Sequence, residues 1–177
     1  MPLPIAHGCV GAGIVALSRP KSSLGTDWHM LLFGAVLAII PDLDFMLIWV
    51  FHLSNGWHRS FTHSILMGFI VTALLIGLLG TARIREAVVY GAAYLSHGIL
   101  DFLTAKHGGG VELFWPFVHE RFKLGLISFS ELMHGITLSE MFRASLIELT
   151  IFAPMLLALL LVREFVLSGL RSSQGEA

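Results

Sequence analysis

The chain has 177 residues, 55% of them hydrophobic and only 13% charged, with a mean hydropathy of +0.80. Soluble domains carry about 25% charged residues, so the composition points to a membrane-embedded protein, and the length fits one domain over residues 1–177. A net charge of −1 gives no electrostatic footprint for nucleic acid, and the single Cys9 excludes an internal disulfide framework.

Five apolar segments follow in order and predict an all-α, polytopic helical bundle of about five transmembrane segments. The first, Ile5 to Leu17, is short; it lacks a charged leader and reads as a retained helix, and Cys9 has no lipid-attachment context. The second, Trp28 to Leu53, contains Pro41 flanked by acids. The third, Phe61 to Gly80, and the fourth, Glu86 to Leu103, approach the ~20 residues a bilayer requires. A connection over residues 104–144, rich in glycine and aromatics, reads as an interfacial loop region. The fifth segment, Ala144 to Leu167, has Pro154 near its middle, and residues 168–177 read as a short disordered tail. Trp28, Trp49, Trp57 and Trp115 fall near segment ends, where belt residues anchor a span. If all five cross, Arg19, Lys21, Arg83, Arg85, Arg163 and Arg171 share one face, which the positive-inside rule makes cytoplasmic. The opposite face, with Arg59 and the long connection bearing Lys106, Arg121, Lys123 and Arg143, is then external.

Inside these segments sit His7, Asp42 and Asp44 in IIPDLDFM, His58 and His63 in HRSFTHS, and His97 with Asp101 in LSHGILD. Each ionisable group in hydrocarbon costs about 2.5–3.5 kcal/mol on insertion scales, so the set needs compensation. A metal ion accepts both imidazole and carboxylate. Pro41 removes a backbone donor and opens the helix beside both acids. His97 and Asp101, spaced i and i+4, share a helix face and can grip one ion or simply pair with each other. In HRSFTHS, Ser60 or Thr62 is the expected cap of the third helix, with His63 in its first turn and His58 in the loop. Asp42 lies roughly 21 Å along its segment from Trp28, and His97 and Asp101 roughly 16 and 22 Å along theirs from Glu86. His7 and His63 start their segments, so four segments bring ligand-type residues to one level, nearer the outer face. His29 and His52 read as interfacial, and His119 and His134 as solvated residues of the connection; His107 stays open.

As an ordered set, His7, the PDLD block, HRSFTHS, LSHGILDFLT and GVELFWPF resemble a family of bacterial inner-membrane metal-dependent hydrolases of the LexA-regulated type. A more distant similarity is to zinc-dependent phospholipases C and related single-strand-specific nucleases. Their order of an early His, an Asp, a later His, an HxxxD pair and a further His takes in His7, Asp44, His58, His97, Asp101 and His107. A later HxxxD or HxxxE that would complete a third metal site is missing, so the resemblance implies one or two ions.

The expectation is therefore an integral membrane hydrolase of the bacterial inner membrane that cleaves a phosphoester in a lipid or lipid-linked substrate with a metal-activated water. His7, Asp42, Asp44, His63, His97 and Asp101 are the metal candidates, with Zn2+ favoured and Mn2+ or Mg2+ also compatible with the carboxylates. His58 is expected to transfer protons, or to replace one ligand, and Arg59 to stabilise developing negative charge. The alternatives are an intramembrane cation or proton transporter and a non-catalytic protein stapled by metal. Neither the substrate nor the oligomeric state can be read from the residues.

Overall fold

The computed structural model describes residues 4–18, 24–105, 109–126 and 137–175, with residues 24–27, 138 and 169–175 as backbone only. Among the described residues six α-helices carry the fold: α1 (Pro4–Ser18), α2 (Leu24–Ile39), α3 (Phe45–Trp49), α4 (Ile65–Leu79), α5 (Ile84–Thr104) and α6 (Leu138–Gly175). Among the described residues the only β pairing is a single antiparallel bridge between Val111 and Phe122. The fold class is therefore all-α, as expected.

By length and apolarity two stretches can cross a membrane, Trp28–Trp49 and Ser139–Ser168. A third arises if Asn55–His63 and Ile65–Leu79, bent by 53°, form one broken span. The α1 helix is apolar but only 15 residues long, and α5 spends part of its length on Arg85, Glu86, His97 and Asp101. Residues 171–175 continue α6 as helix, beyond the Leu167 at which the last segment was drawn and into the stretch read as a tail.

Two segment boundaries differ from expectation for local reasons. Pro41 offers no N–H and crowds the preceding turn, so α2 stops at Ile39, residues 40–44 tighten into a 3-10 turn, and a short α3 follows. The α4 helix starts later than expected. Its cap is Ser64, whose hydroxyl accepts from the Met67 N–H at 3.1 Å. Ser60 and Thr62 instead turn their hydroxyls away, toward Glu112 and Asp44.

Small residues let the helices touch backbone to backbone, the packing mode expected where lipid removes any hydrophobic drive between helices. A Cβ on Gly11 of α1 would lie 2.4 Å from the Gly34 carbonyl oxygen of α2, so nothing larger fits there. Contacts of Gly11 with Gly34 and of Gly8 with Ile39 make α1 and α2 antiparallel. Likewise Gly68 meets Leu95 and Gly91 meets Thr72, so α4 and α5 are antiparallel. Phe33 meets Tyr90 and Ala38 meets His97, so α2 and α5 run parallel. The long α6 is attached along α1. Glu148 accepts from the Ala6 N–H at 3.2 Å, and Arg163 donates from Nε to the Ala16 carbonyl at 2.9 Å. An acid thus meets the amino end of α1 and a base its carboxyl end, the signs that the helix dipole favours. Arg163 is accordingly buried against α1.

Chain direction therefore alternates through α1, α2, α4, α5 and α6, and the two ends of the bundle differ in chemistry. One end is an apolar core of Val15, Leu37, Leu75, Ala87 and Tyr90. The other gathers the start of α1, the end of α2, the approach to α4 and the end of α5.

Candidate metal centre

Four segments deliver side chains to this second end. His7 comes from the first turns of α1, Asp42 and Asp44 from the 3-10 turn after α2, and His58, Arg59 and His63 from the stretch before α4. His97 and Asp101 come from one face of α5. His7, His63, His97 and Asp101 have at most 1% of their surface exposed, and Asp44 only 3%. All eight of the residues singled out in the sequence therefore meet in one place, including Asp42, His97 and Asp101, whose level was inferred from helix rise.

The hydrogen bonds fix which atoms face inward. His97 Nδ1 lies 2.7 Å from the Ala38 carbonyl, one of the last in α2 and short of an intrahelical partner. A carbonyl only accepts, so Nδ1 carries the proton and Nε2 keeps its lone pair. His58 Nδ1 lies 2.8 Å from Asp44 Oδ1, which assigns its proton the same way. Thr62 donates its one hydroxyl proton to Asp44 Oδ2 at 2.9 Å, so it accepts from His63 Nδ1 at 2.9 Å. Three imidazoles thus turn Nε2 into the site, each oriented from behind. His7 stacks on His97 with ring centroids 3.7 Å apart.

These inward atoms find no hydrogen bond. Both nitrogens of His7, Nε2 of His58, His63 and His97, Oδ1 of Asp42 and both oxygens of Asp101 are buried without one. Their spacing is longer than that of a usual hydrogen bond. His97 Nε2 is 3.3 Å from Asp42 Oδ1, His7 Nε2 is 3.5 Å from Asp101 Oδ1, and His63 Nε2 is 3.7 Å from both Asp42 Oδ1 and Asp101 Oδ2. Two ligands about 2.0–2.1 Å from a tetrahedral ion stand about 3.3–3.4 Å from each other, so the arrangement has the dimensions of a ligand cage. Three groups in it can hold an ion: His7 with Asp42 and His97, Asp42 with His58 and His63, and His63 with His97 and Asp101.

Two residues have partners that the sequence did not name. Asp44, expected as a ligand, accepts from His58 Nδ1 on one oxygen and from Thr62 Oγ1 and the Arg59 N–H, at 3.0 Å, on the other. Its three hydrogen bonds orient neighbours, and none of the three ligand groups includes it. Arg59, expected to stabilise developing negative charge, is 4% exposed with Nε 3.2 Å from Asp101 Oδ2. Its backbone has φ of 61°, a conformation that costs a non-glycine residue of order 1–3 kcal/mol and persists only where surroundings over-determine it. Here they do, because Asp44 takes its N–H while its carbonyl accepts from the Glu112 N–H at 3.0 Å.

Glu112 and Arg121 were not singled out in the sequence as site residues. Glu112, 8% exposed, accepts from Ser60 Oγ at 2.9 Å and pairs with Arg121 Nε at 3.3 Å. Arg121 also donates to the carbonyls of Gly56 and His58. The Leu113 carbonyl accepts from the Ile65 N–H at the start of α4. Part of the connection read as an interfacial loop is therefore a brace that holds the His58–Ser64 stretch in place. One signal was present: Glu112 is a lone acid in the apolar run VELFWPF, the same anomaly that drew attention to PDLD. His107, left open, lies outside the described residues, as do Arg19, Lys21, Lys106 and His134.

The family model for the YdjM inner membrane protein matches residues 1–170, nearly the whole chain. The chain belongs to the YdjM inner membrane protein family. It is 32% identical over 134 residues to the inner membrane protein YbcI of Escherichia coli K12, covering 69% of this chain and 72% of that one. It is 30% identical over 122 residues to inner membrane protein YdjM of the same organism and of Shigella flexneri, covering 61% of this chain and 59% of each of those. No solved structure matches. The family and the apolar helices make this a membrane protein; the relatives' names give a location and no activity.

Proposed function

We propose that this YdjM-family protein is an integral membrane, metal-dependent hydrolase that cleaves a phosphoester in a lipid or lipid-linked substrate. The observation that carries the reading is the cage of buried, hydrogen-bond-free nitrogen and oxygen atoms at ligand spacing. Burying such atoms without partners costs about 1–3 kcal/mol each, so a fold that assembles them from four segments needs something to satisfy them. The mixed imidazole and carboxylate set suits Zn2+, with Mn2+ or Mg2+ as further candidates. A bound divalent ion supplies Lewis acidity and brings the pKa of a coordinated water toward about 7.

The chain's own residues divide the remaining work. Ala38, Thr62 and Asp44 hold three imidazoles in one tautomer and direction, the outer support that tunes a metal ligand. Arg59 keeps a fixed positive charge against Asp101. The inward Nε2 of His58, grouped with Asp42 and His63, supports a ligand role more than the proton transfer expected of it. The side chains of Asp42 and His58 keep 12% and 15% exposure, which makes that side of the cage the approach for substrate. The alternating chain direction supports five crossings, and with the positive-inside reading it favours a cage at the periplasmic side of the bacterial inner membrane. A phosphoryl head group at that level with its apolar tail in the bilayer is the substrate that this position favours.

Detergent-purified protein loaded with Zn2+ or Mn2+ and offered phospholipids and soluble phosphodiesters tests the reading. Turnover that disappears on chelation and returns with metal is expected; no hydrolysis by fully loaded protein contradicts it. A cation or proton transporter is the competing reading, because buried intramembrane His and Asp also build ion paths. Among the described residues the core at the opposite end is apolar and continues no such path. Ion flux in reconstituted vesicles would favour the transporter.

A further inference from the structure

We infer that the cage holds two divalent ions bridged by Asp42, with His58 as a ligand to one of them and Asp44 as its orienting partner. The inference rests on the reading that these residues bind metal, and goes beyond it in number, partition and ligand preference. His7 and His58 lie at opposite extremes of the donor set. His7 groups with Asp42 and His97, His58 groups with Asp42 and His63, and no group contains both. A single ion held by either group leaves the other terminal imidazole with a buried, unsatisfied nitrogen. Asp42 is the one residue common to both groups, and its Oδ1 stands 3.3 Å from His97 and 3.7 Å from His63, between the two pairs of imidazoles. Asp101 repeats the pattern, with Oδ1 at 3.5 Å from His7 and Oδ2 at 3.7 Å from His63. Two ions therefore receive two imidazoles each, and the carboxylates lie between them.

Asp44 distinguishes the two positions. It sits behind His58 and, at 3.4 Å, close to His63 Nδ1, so it supports only the second pair. A carboxylate behind an imidazole raises its basicity as a ligand. The first pair has instead a neutral carbonyl behind His97.

Charge then selects the ligand class. Asp42, Asp44 and Asp101 with Arg59 balance a single dication to neutrality. Two dications leave an excess of two positive charges in a buried site, which requires anionic company. A phosphoryl group with two ionised oxygens is the chemistry that meets this demand, and a one-ion site does not call for it.

The test is metal counting on chelated, detergent-purified protein retitrated with Mn2+. Wild type is expected to bind two ions per chain with spin-coupled electron paramagnetic resonance signals, and to bind inorganic phosphate saturably. His7→Ala and His58→Ala are each expected to retain one ion, lose the coupled signal and lose phosphate binding. Asp44→Asn is expected to keep both ions, with the second bound about 10–100-fold more weakly, the usual cost of removing an outer partner. One ion in the wild type overturns the inference, as does either histidine variant keeping two. A single ion with hydrolysis intact removes only this inference; two ions with no hydrolysis removes only the proposed activity.

Discussion

The two ends of the helical bundle are built on the same helices with the same small-residue contacts, yet they solve opposite problems. At the apolar end the side chains of Val15, Leu37, Leu75 and Ala87 and the ring of Tyr90 fill space. At the polar end His7, His63, His97 and Asp101 are buried as deeply, but their inward atoms remain unsatisfied, while the outer nitrogens of His63 and His97 are tied down. Burial alone therefore does not mark a site. What marks it is burial of polar atoms held in one orientation by neighbours and denied a hydrogen bond on the other side.

That contrast yields predictions that differ between the ends. The largest effect is expected at the polar end. Asp101→Asn removes a ligand and leaves the Arg59 charge facing a neutral group, a change worth about 3–5 kcal/mol for a buried pair. Metal retention and turnover should vanish while the protein still inserts, as measured by metal analysis and membrane fractionation; wild-type metal content in this variant would contradict the assignment. At the apolar end Leu75→Ala should cost about 2–5 kcal/mol of stability, read as a lower Tm in detergent, while metal per folded chain stays constant. If metal content falls in proportion, the two ends are not separable.

Smaller effects sharpen the boundary of the polar end. Glu112→Gln weakens the hold on Ser60 and Arg121 without touching a ligand, so metal affinity should drop by about 10–100-fold with stoichiometry unchanged. Arg163→Met removes the cation at the carboxyl end of α1, far from the cage. It should lower Tm by the equivalent of about 0.3–2 kcal/mol and leave metal affinity at the wild-type value. An affinity loss in Arg163→Met matching that in Glu112→Gln would erase the distinction between bracing the site and bracing the bundle.

The residue types of the site were legible because hydrocarbon penalises them: His7, Asp42, His63, His97 and Asp101 stood out as anomalies at a common level, and they meet in the structure. Their division of labour was not legible. Asp42 and Asp44 differ by two positions, but the 3-10 turn after Pro41 sends one into the cage and the other behind it. The cap of α4 was misassigned because sequence cannot show that the Ser60 and Thr62 hydroxyls are already engaged by Glu112 and Asp44. Glu112 and Arg121 act across 52 to 65 residues of chain, a distance over which spacing carries no information. The bundle was legible as helices from apolar length alone, whereas the ties from Glu148 and Arg163 to α1 depend on a packing partner that periodicity does not name.

The most direct measurement is X-ray absorption at the zinc edge on Zn2+-loaded protein. A coordination shell dominated by nitrogen and oxygen at about 2.0–2.1 Å, with imidazole outer scattering that weakens in His97→Ala, is the predicted result. Zinc that washes away, or a shell without imidazole scattering, would contradict the account.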